Sequence, residues 1–318
     1  MRKILAPLGW AIGMLVLILD GKTALAGAAE GIALCMQTLI PSLFPFFVLS
    51  MMLTSTIGGG GLLLAGILGG YPVGAGNAAQ AYRAGLLSQA EAERMVVLCN
   101  CAGVSFLFGV VSPILGSIRD TLMLWAAYLT SVLALWMIFP KTKTTHRPSK
   151  PLRLQEALWR AIRAMAGVCG WVVLFRVLLA ILERWMLWLL PEWGQAVVYG
   201  VLELSNGCLF LRQIPEGLRC VLAAGFLGFG GICVMMQTAS VAEGISLRLY
   251  LPGKLFQGVV SMLAASFLFL GSLSSSVQVI LAVSAGVLGY ILEKNRKKKW
   301  KSSGDWCIIR ANPKLRWK

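Results

Sequence analysis

The chain has 318 residues, 58% of them hydrophobic and 13% charged, and a net charge of +16. Soluble domains run about 45–50% apolar and about 25% charged, so this composition excludes an ordinary soluble fold and predicts an integral membrane protein. The charge is confined to three places: Arg2 and Lys3, residues 141–163 and residues 293–318 hold the whole excess, and the remainder balances at zero.

Basic flanks beside apolar spans mark the cytoplasmic side. They place the N-terminus, the central linker and the C-terminal tail on the cytoplasmic side of the membrane. Anionic lipid headgroups are the natural partners of such flanks, and nucleic acid is not expected. Of the eight cysteines, seven lie within apolar runs, and there is no CxxC pair. They read as small buried residues at helix contacts, with no metal and no cofactor expected.

In chain order, Ile4 to Leu19 is a first apolar span. Ala24-Leu25-Ala26 resembles a signal-peptidase site, and with or without cleavage residue 27 lies outside. Gly31 to Ile57 follows, divided by Pro41 and Pro45, which fits a kinked span or a half-helix followed by a span. Gly58 to Gly61 is a flexible joint. It leads to GGYPVGAGNAAQAYRAG, Gly69 to Gly85, with five glycines and one proline. A helix through Tyr71-Pro72 loses a backbone bond, and each glycine adds entropy loss. Broken backbone survives in lipid only inside protein or along a watery cavity. This stretch is therefore expected to be a re-entrant hairpin facing a binding site.

Ser88 is expected to cap a helix with Glu91 in its first turn. Met95 to Gly116 spans, interrupted by Asn100, Gly103, Ser105, Gly109 and Pro113, and Thr121 to Phe139 is a plain span. Residues 140–153 form a polar linker. Leu154 to Arg163 is expected to lie on the membrane as a basic amphipathic helix, and Ala164 to Leu190 to span. Gln195 to Leu211 is apolar around Glu203, Asn206 and Gly207. Arg219 to Gln237 carries a second glycine-broken core and is expected to be a second hairpin. Residues 243–254 read as a polar loop before spans at Leu255 to Leu270 and Val277 to Leu292.

Gly66-Ile67-Leu68-Gly69 matches Gly225-Phe226-Leu227-Gly228, and Gly109-Val110-Val111-Ser112 matches Gly258-Val259-Val260-Ser261. Paired broken segments in a repeated chain are a transporter pattern. The expected fold is an all-α polytopic membrane protein of about eight transmembrane helices plus two glycine-broken re-entrant hairpins in two related halves. The halves are 1–139, with a first unit at 62–139, and 164–292, with a second at 219–292. They are joined by the linker and interfacial helix 140–163 and followed by the tail 293–318. That span count predicts parallel repeats, while inverted repeats would need another crossing between the units.

No enzyme is expected: no membrane segment holds a histidine, and Walker A and HExxH motifs are missing. Binding chemistry remains. Glu203 lies mid-way through an apolar stretch as a partner for an ion, a proton or a substrate donor, with Arg176 as the structural alternative. Gln80, Asn100, Asn206 and Gln237 offer donors and acceptors. With Ser105 and the breaks at Tyr71, Pro72 and Gly74, and at Gly228, Gly230 and Gly231, they form the candidate substrate site.

The stretch from Gly69 to Val111 resembles the nucleoside-recognition, or Gate, family of bacterial membrane proteins. The resemblance rests on the Gly-Tyr-Pro-Val-Gly turn, the Gly-Leu-Leu-Ser loop, Cys99-Asn100 and Phe108-Gly109. Ile40-Pro41-Ser42-Leu43-Phe44-Pro45-Phe46, Glu203-Leu204-Ser205-Asn206-Gly207 and Gly228-Phe229-Gly230-Gly231 fit the same pattern. The chain departs from it at Cys101-Ala102-Gly103, where another polar residue is common. The resemblance implies hairpins akin to those of concentrative nucleoside transporters, a role in spore formation, and a cargo such as dipicolinate. The expected function is passive or ion-coupled transport of a small polar or anionic metabolite, with H+ or Na+ as coupling ion and self-association left open. The alternative is a membrane scaffold for spore assembly.

Overall fold

A computed structural model describes residues 2–57, 61–139 and 152–269, with positions 286 and 289. Of the expected glycine joint at 58–61 only Gly61 is described, and most of the linker, the span at 277–292 apart from positions 286 and 289, and the basic tail lie outside the described residues. Every element is helical. In order they are α1 (Arg2–Leu19), α2 (Gly21–Leu34), α3 (Ile40–Ile57), α4 (Leu62–Gly69), α5 (Val73–Arg83), α6 (Gln89–Cys99), α7 (Val104–Phe106), α8 (Ser112–Leu115) and α9 (Ile118–Ile138). Then come α10 (Leu154–Trp185), α11 (Glu192–Leu202), α12 (Leu204–Phe210), α13 (Glu216–Phe229), α14 (Gly231–Val241) and α15 (Tyr250–Phe269). Six stretches among the described residues are long and apolar enough to cross a membrane: Gly21–Leu53, Gln89–Leu115, Ile118–Ile138, Leu154–Trp185, Glu216–Val241 and Tyr250–Phe269.

Local chemistry accounts for the boundaries. Between α2 and α3 the chain makes a π-turn at Cys35–Leu39, just before Pro41, which has no amide to donate. The expected division of this block is thus a bulge within one long helix. Ser88 and Glu91 form a reciprocal capping box at the start of α6. Leu154 to Trp185 is one helix, not an interfacial helix followed by a span. Ala157, Ala161, Met165, Val168, Val172, Phe175 and Leu179 are buried along it at spacings of three and four, so a single face packs inward over its whole length.

The same order of elements occurs twice. A long span (α2–α3, then α10) precedes two short helices that fold back on each other (α4–α5, then α11–α12). A span broken in the middle follows (α6–α8, then α13–α14), and then an unbroken one (α9, then α15). In the first hairpin the apex is Gly70-Tyr71-Pro72, and Gly66 and Gly74 lie side by side below it. In the second the apex is Glu203, and Gly200 and Gly207 meet backbone to backbone. The second hairpin is therefore Glu192 to Phe210. The expected hairpin at Arg219 to Gln237 is instead a broken span, interrupted at Gly230 and Gly231, both at φ +84. The matched tetrapeptides also fall in different elements, Gly66–Gly69 in a hairpin and Gly225–Gly228 in a broken span.

Counterparts run antiparallel. Along α2 and α10, Gly27 meets Ala180, Gly31 meets Val173, and the Cys35 thiol points to the Cys169 carbonyl. Asn100 at the end of α6 bonds Thr238 in α14, while Ile114 in α8 reaches Arg219 in α13. Ser131 of α9 bonds Ser261 of α15 at 2.8 Å. The C-terminal end of α9 (Leu135, Phe139) shares a cluster with Tyr250 and Phe256 at the start of α15. Parallel repeats do not describe this arrangement. Each half holds three of the candidate spans, and an odd number reverses the direction of the second half.

Candidate functional site

Four interruptions of the helices converge. Gly70 and Gly103 touch backbone to backbone, so that a Cβ on Gly70 would fall 2.8 Å from the Gly103 amide. The apex of the first hairpin thus rests on the break between α6 and α7. Tyr71 then crosses to the other half, where its hydroxyl donates to the Leu227 carbonyl at 2.9 Å. That carbonyl belongs to the last turn of α13, whose carbonyls have no partner within the helix. The Tyr71 ring also borders Gly230 at the second break. Tyr128 of α9 accepts from the Ala102 amide at 2.7 Å, satisfying a donor freed at the first break.

Glu203, 1% exposed, stands at the apex of the second hairpin. One carboxylate oxygen accepts from the Ser205 amide at 3.1 Å, and the other from the Asn206 amide and side chain, each at 2.7 Å. It caps α12, where a carboxylate complements the orphan amides and the helix dipole. Arg176, the expected alternative partner, instead pairs with Glu30 and with Glu183.

The two hairpin apices line a cavity of about 30 Å³. Its polar lining is Gly70, Tyr71, Gly103, Glu203, Ser205 and Gln237, and Leu39, Leu43, Phe106, Val168, Val172 and Val234 supply apolar walls. A space of that size holds a water or two but not a metabolite.

Of the residues expected to bind substrate, Tyr71, Glu203 and Gln237 line the cavity. Asn206 stands behind Glu203, and Gly230 and Gly231 form the break beside it. Ser105 is buried at the start of α7, and its hydroxyl has no partner. Pro72 starts α5 next to the cavity. Four residues serve elsewhere. Gln80 lies at the exposed end of α5 and accepts from Arg160 at 2.6 Å, because that helix leads away from the apex. Gly74 fits against the Cys99 carbonyl, and Gly228 packs on Gly258 of α15. Asn100 belongs to a polar group beyond the cavity wall, with Thr238, Tyr250, Lys254 and Gln257. Sequence reasoning missed Lys254 and Tyr250, which read as loop. The signal was their spacing: Tyr250, Lys254 and Gln257 fall at i, i+4 and i+7 on one helix face.

The fold defines a polytopic all-α membrane protein of two antiparallel halves around a small cavity that Tyr71 and Glu203 line. Along its sequence the chain is similar to the sporulation integral membrane protein YlbJ of Bacillus subtilis (strain 168). They share 23% identity over 75% of this chain and 76% of that protein. No family model matches the chain, the expected Gate family included, and no solved structure matches it.

Proposed function

We propose that the protein is a membrane transporter of a small polar metabolite, acting in spore formation, with the two hairpin apices forming its binding site. One observation carries this reading: two hairpins and two broken spans, from antiparallel halves, meet around one small cavity that Tyr71, Glu203, Ser205 and Gln237 line. Backbone broken at membrane depth must face protein or water, and inverted halves around such a site are the build of alternating-access transporters. On this reading both hairpins enter and leave on one side, as re-entrant elements do, and resemblance to the Gate family extends to mechanism. The cargo must expand the cavity to enter. Tyr71, Ser205 and Gln237 offer hydrogen bonds to it, and Glu203 fixes the tip that closes over it. The similarity to a sporulation protein supports the biological setting, and dipicolinate is the first cargo to try.

Uptake into proteoliposomes tests the proposal, with dipicolinate, other dicarboxylates, nucleosides and amino acids, each with and without a proton or Na+ gradient. Saturable uptake of one class is expected. Glu203→Gln is expected to lower it about tenfold or more, because a carboxylate holding three donors loses charge-assisted bonds. The variant should still insert and purify as a single species. No saturable flux of any class would leave the scaffold reading in its place.

A further inference from the structure

Lys254 is the anomaly of the interior. It lies on α15, one turn from the start, and is 1% exposed. An isolated buried ammonium is costly and normally sits beside a carboxylate. Among the described residues no carboxylate touches it. Its Nζ donates to the Asn100 carbonyl and, at 2.8 Å, to Gln257 Oε1. The Tyr71 and Tyr250 rings face it at 5.5 and 5.8 Å, within range of a cation–π attraction.

Asn100 is where α6 stops. The terminal carbonyls of a helix carry its negative partial charge and have no partners within it. The Asn100 amide nitrogen is occupied by Thr238 and Tyr250, each at 2.7 Å, while its side-chain oxygen has no partner. The ammonium is therefore held by two neutral carbonyl oxygens, one of backbone and one of a side chain, and the free Asn100 oxygen and the Thr238 and Tyr250 hydroxyls belong to the same neutral polar group. This is the ligand set of a site for a monovalent cation: several neutral oxygens at the end of a half-helix.

We infer that the α6 break is a monovalent-cation site that the protein fills with its own Lys254 ammonium, so that this break needs no dissolved alkali ion to hold its shape. The inference concerns the fold of the break and stands whether or not the cavity carries a cargo. Removing the ammonium leaves the oxygens facing an empty space, which Na+ or K+ from solution can then occupy.

The test is thermal melting of the full chain purified in detergent, in choline chloride against NaCl and KCl at matched ionic strength. Wild type is expected to melt at one temperature in all three. Lys254→Ala is expected to melt several degrees lower in choline and to recover much of that loss with Na+ or K+, by linkage of binding to stability. Lys254→Gln retains a donor for the Asn100 carbonyl but no charge. It decides the matter where the alanine variant does not fold, and the same cation-dependent recovery is expected. The inference is overturned if wild type itself is stabilised by Na+ over choline. It is equally overturned if Lys254→Gln melts as wild type does in choline, or shows no response to either ion.

Discussion

Gly66 and Gly74 grip the Cys99 carbonyl from two sides. A Cβ at either position would lie within 1.9 Å of that oxygen, which no rotamer can relieve. The first hairpin is thereby held against α6 by backbone contact, and the apex keeps its place on the break. Gly74→Ala must push the hairpin off α6, and overpacking of this kind costs about 1–3 kcal/mol or more. Gly76 lies two residues on, with nothing near the Cβ it lacks. Thermal melts should therefore show a marked loss for Gly74→Ala and none for Gly76→Ala. Equal melting temperatures would mean that the contact is absent in the folded protein. The sequence marks Gly74 by its company, in a cluster of glycines, and suggests an approach to ligand. The approach is real, but its object is the carbonyl of Cys99, 25 residues further along the chain, and only the pairing of helices reveals it.

Elements were legible where a local rule sets them. The Ser88 capping box is written in four consecutive residues, and Ser88→Ala should cost about 0.5–2 kcal/mol, seen as a lowered melting temperature without loss of helix content. The breaks at Gly70 and Gly230 were legible too, because glycine and proline announce them. The apex at Glu203 was not. No glycine or proline stands there, and the turn is made by a carboxylate that takes over the orphan amides of the next helix. To a reader of the chain that side chain is a charge in an apolar run, and its burial suggests a ligand rather than a cap. The continuity of α10 was hidden for the opposite reason. Its basic first turns suggest the membrane surface, while the inward face of alanines and larger apolar residues is uniform from end to end. Lys254 was read as loop because a lysine ahead of an apolar run usually marks a span boundary.

At the scale of the molecule, the three candidate spans of each half set which connecting segments share a side of the membrane. If neither hairpin crosses, the six candidate spans place Arg153 and Glu243 on one face of the membrane and Glu192 and Glu216 on the other. The basic excess of the linker predicts that the first pair faces the cytoplasm. Single cysteines at these four positions in a cysteine-free background provide the check. An impermeant maleimide should label positions 192 and 216 in intact cells, and positions 153 and 243 only after permeabilisation. Labelling of 153 from outside would invert the assignment, and labelling of 192 and 243 together would mean that a hairpin or a broken span does not take the path described.

The narrow cavity carries an electrical consequence for the cell. A space that admits a water or two is too short a file to conduct, and apolar walls from α3, α7, α10 and α14 close it off. On the proposed transport reading, passage would be granted only to a solute able to part the two tips, and a membrane holding many idle copies would keep its potential.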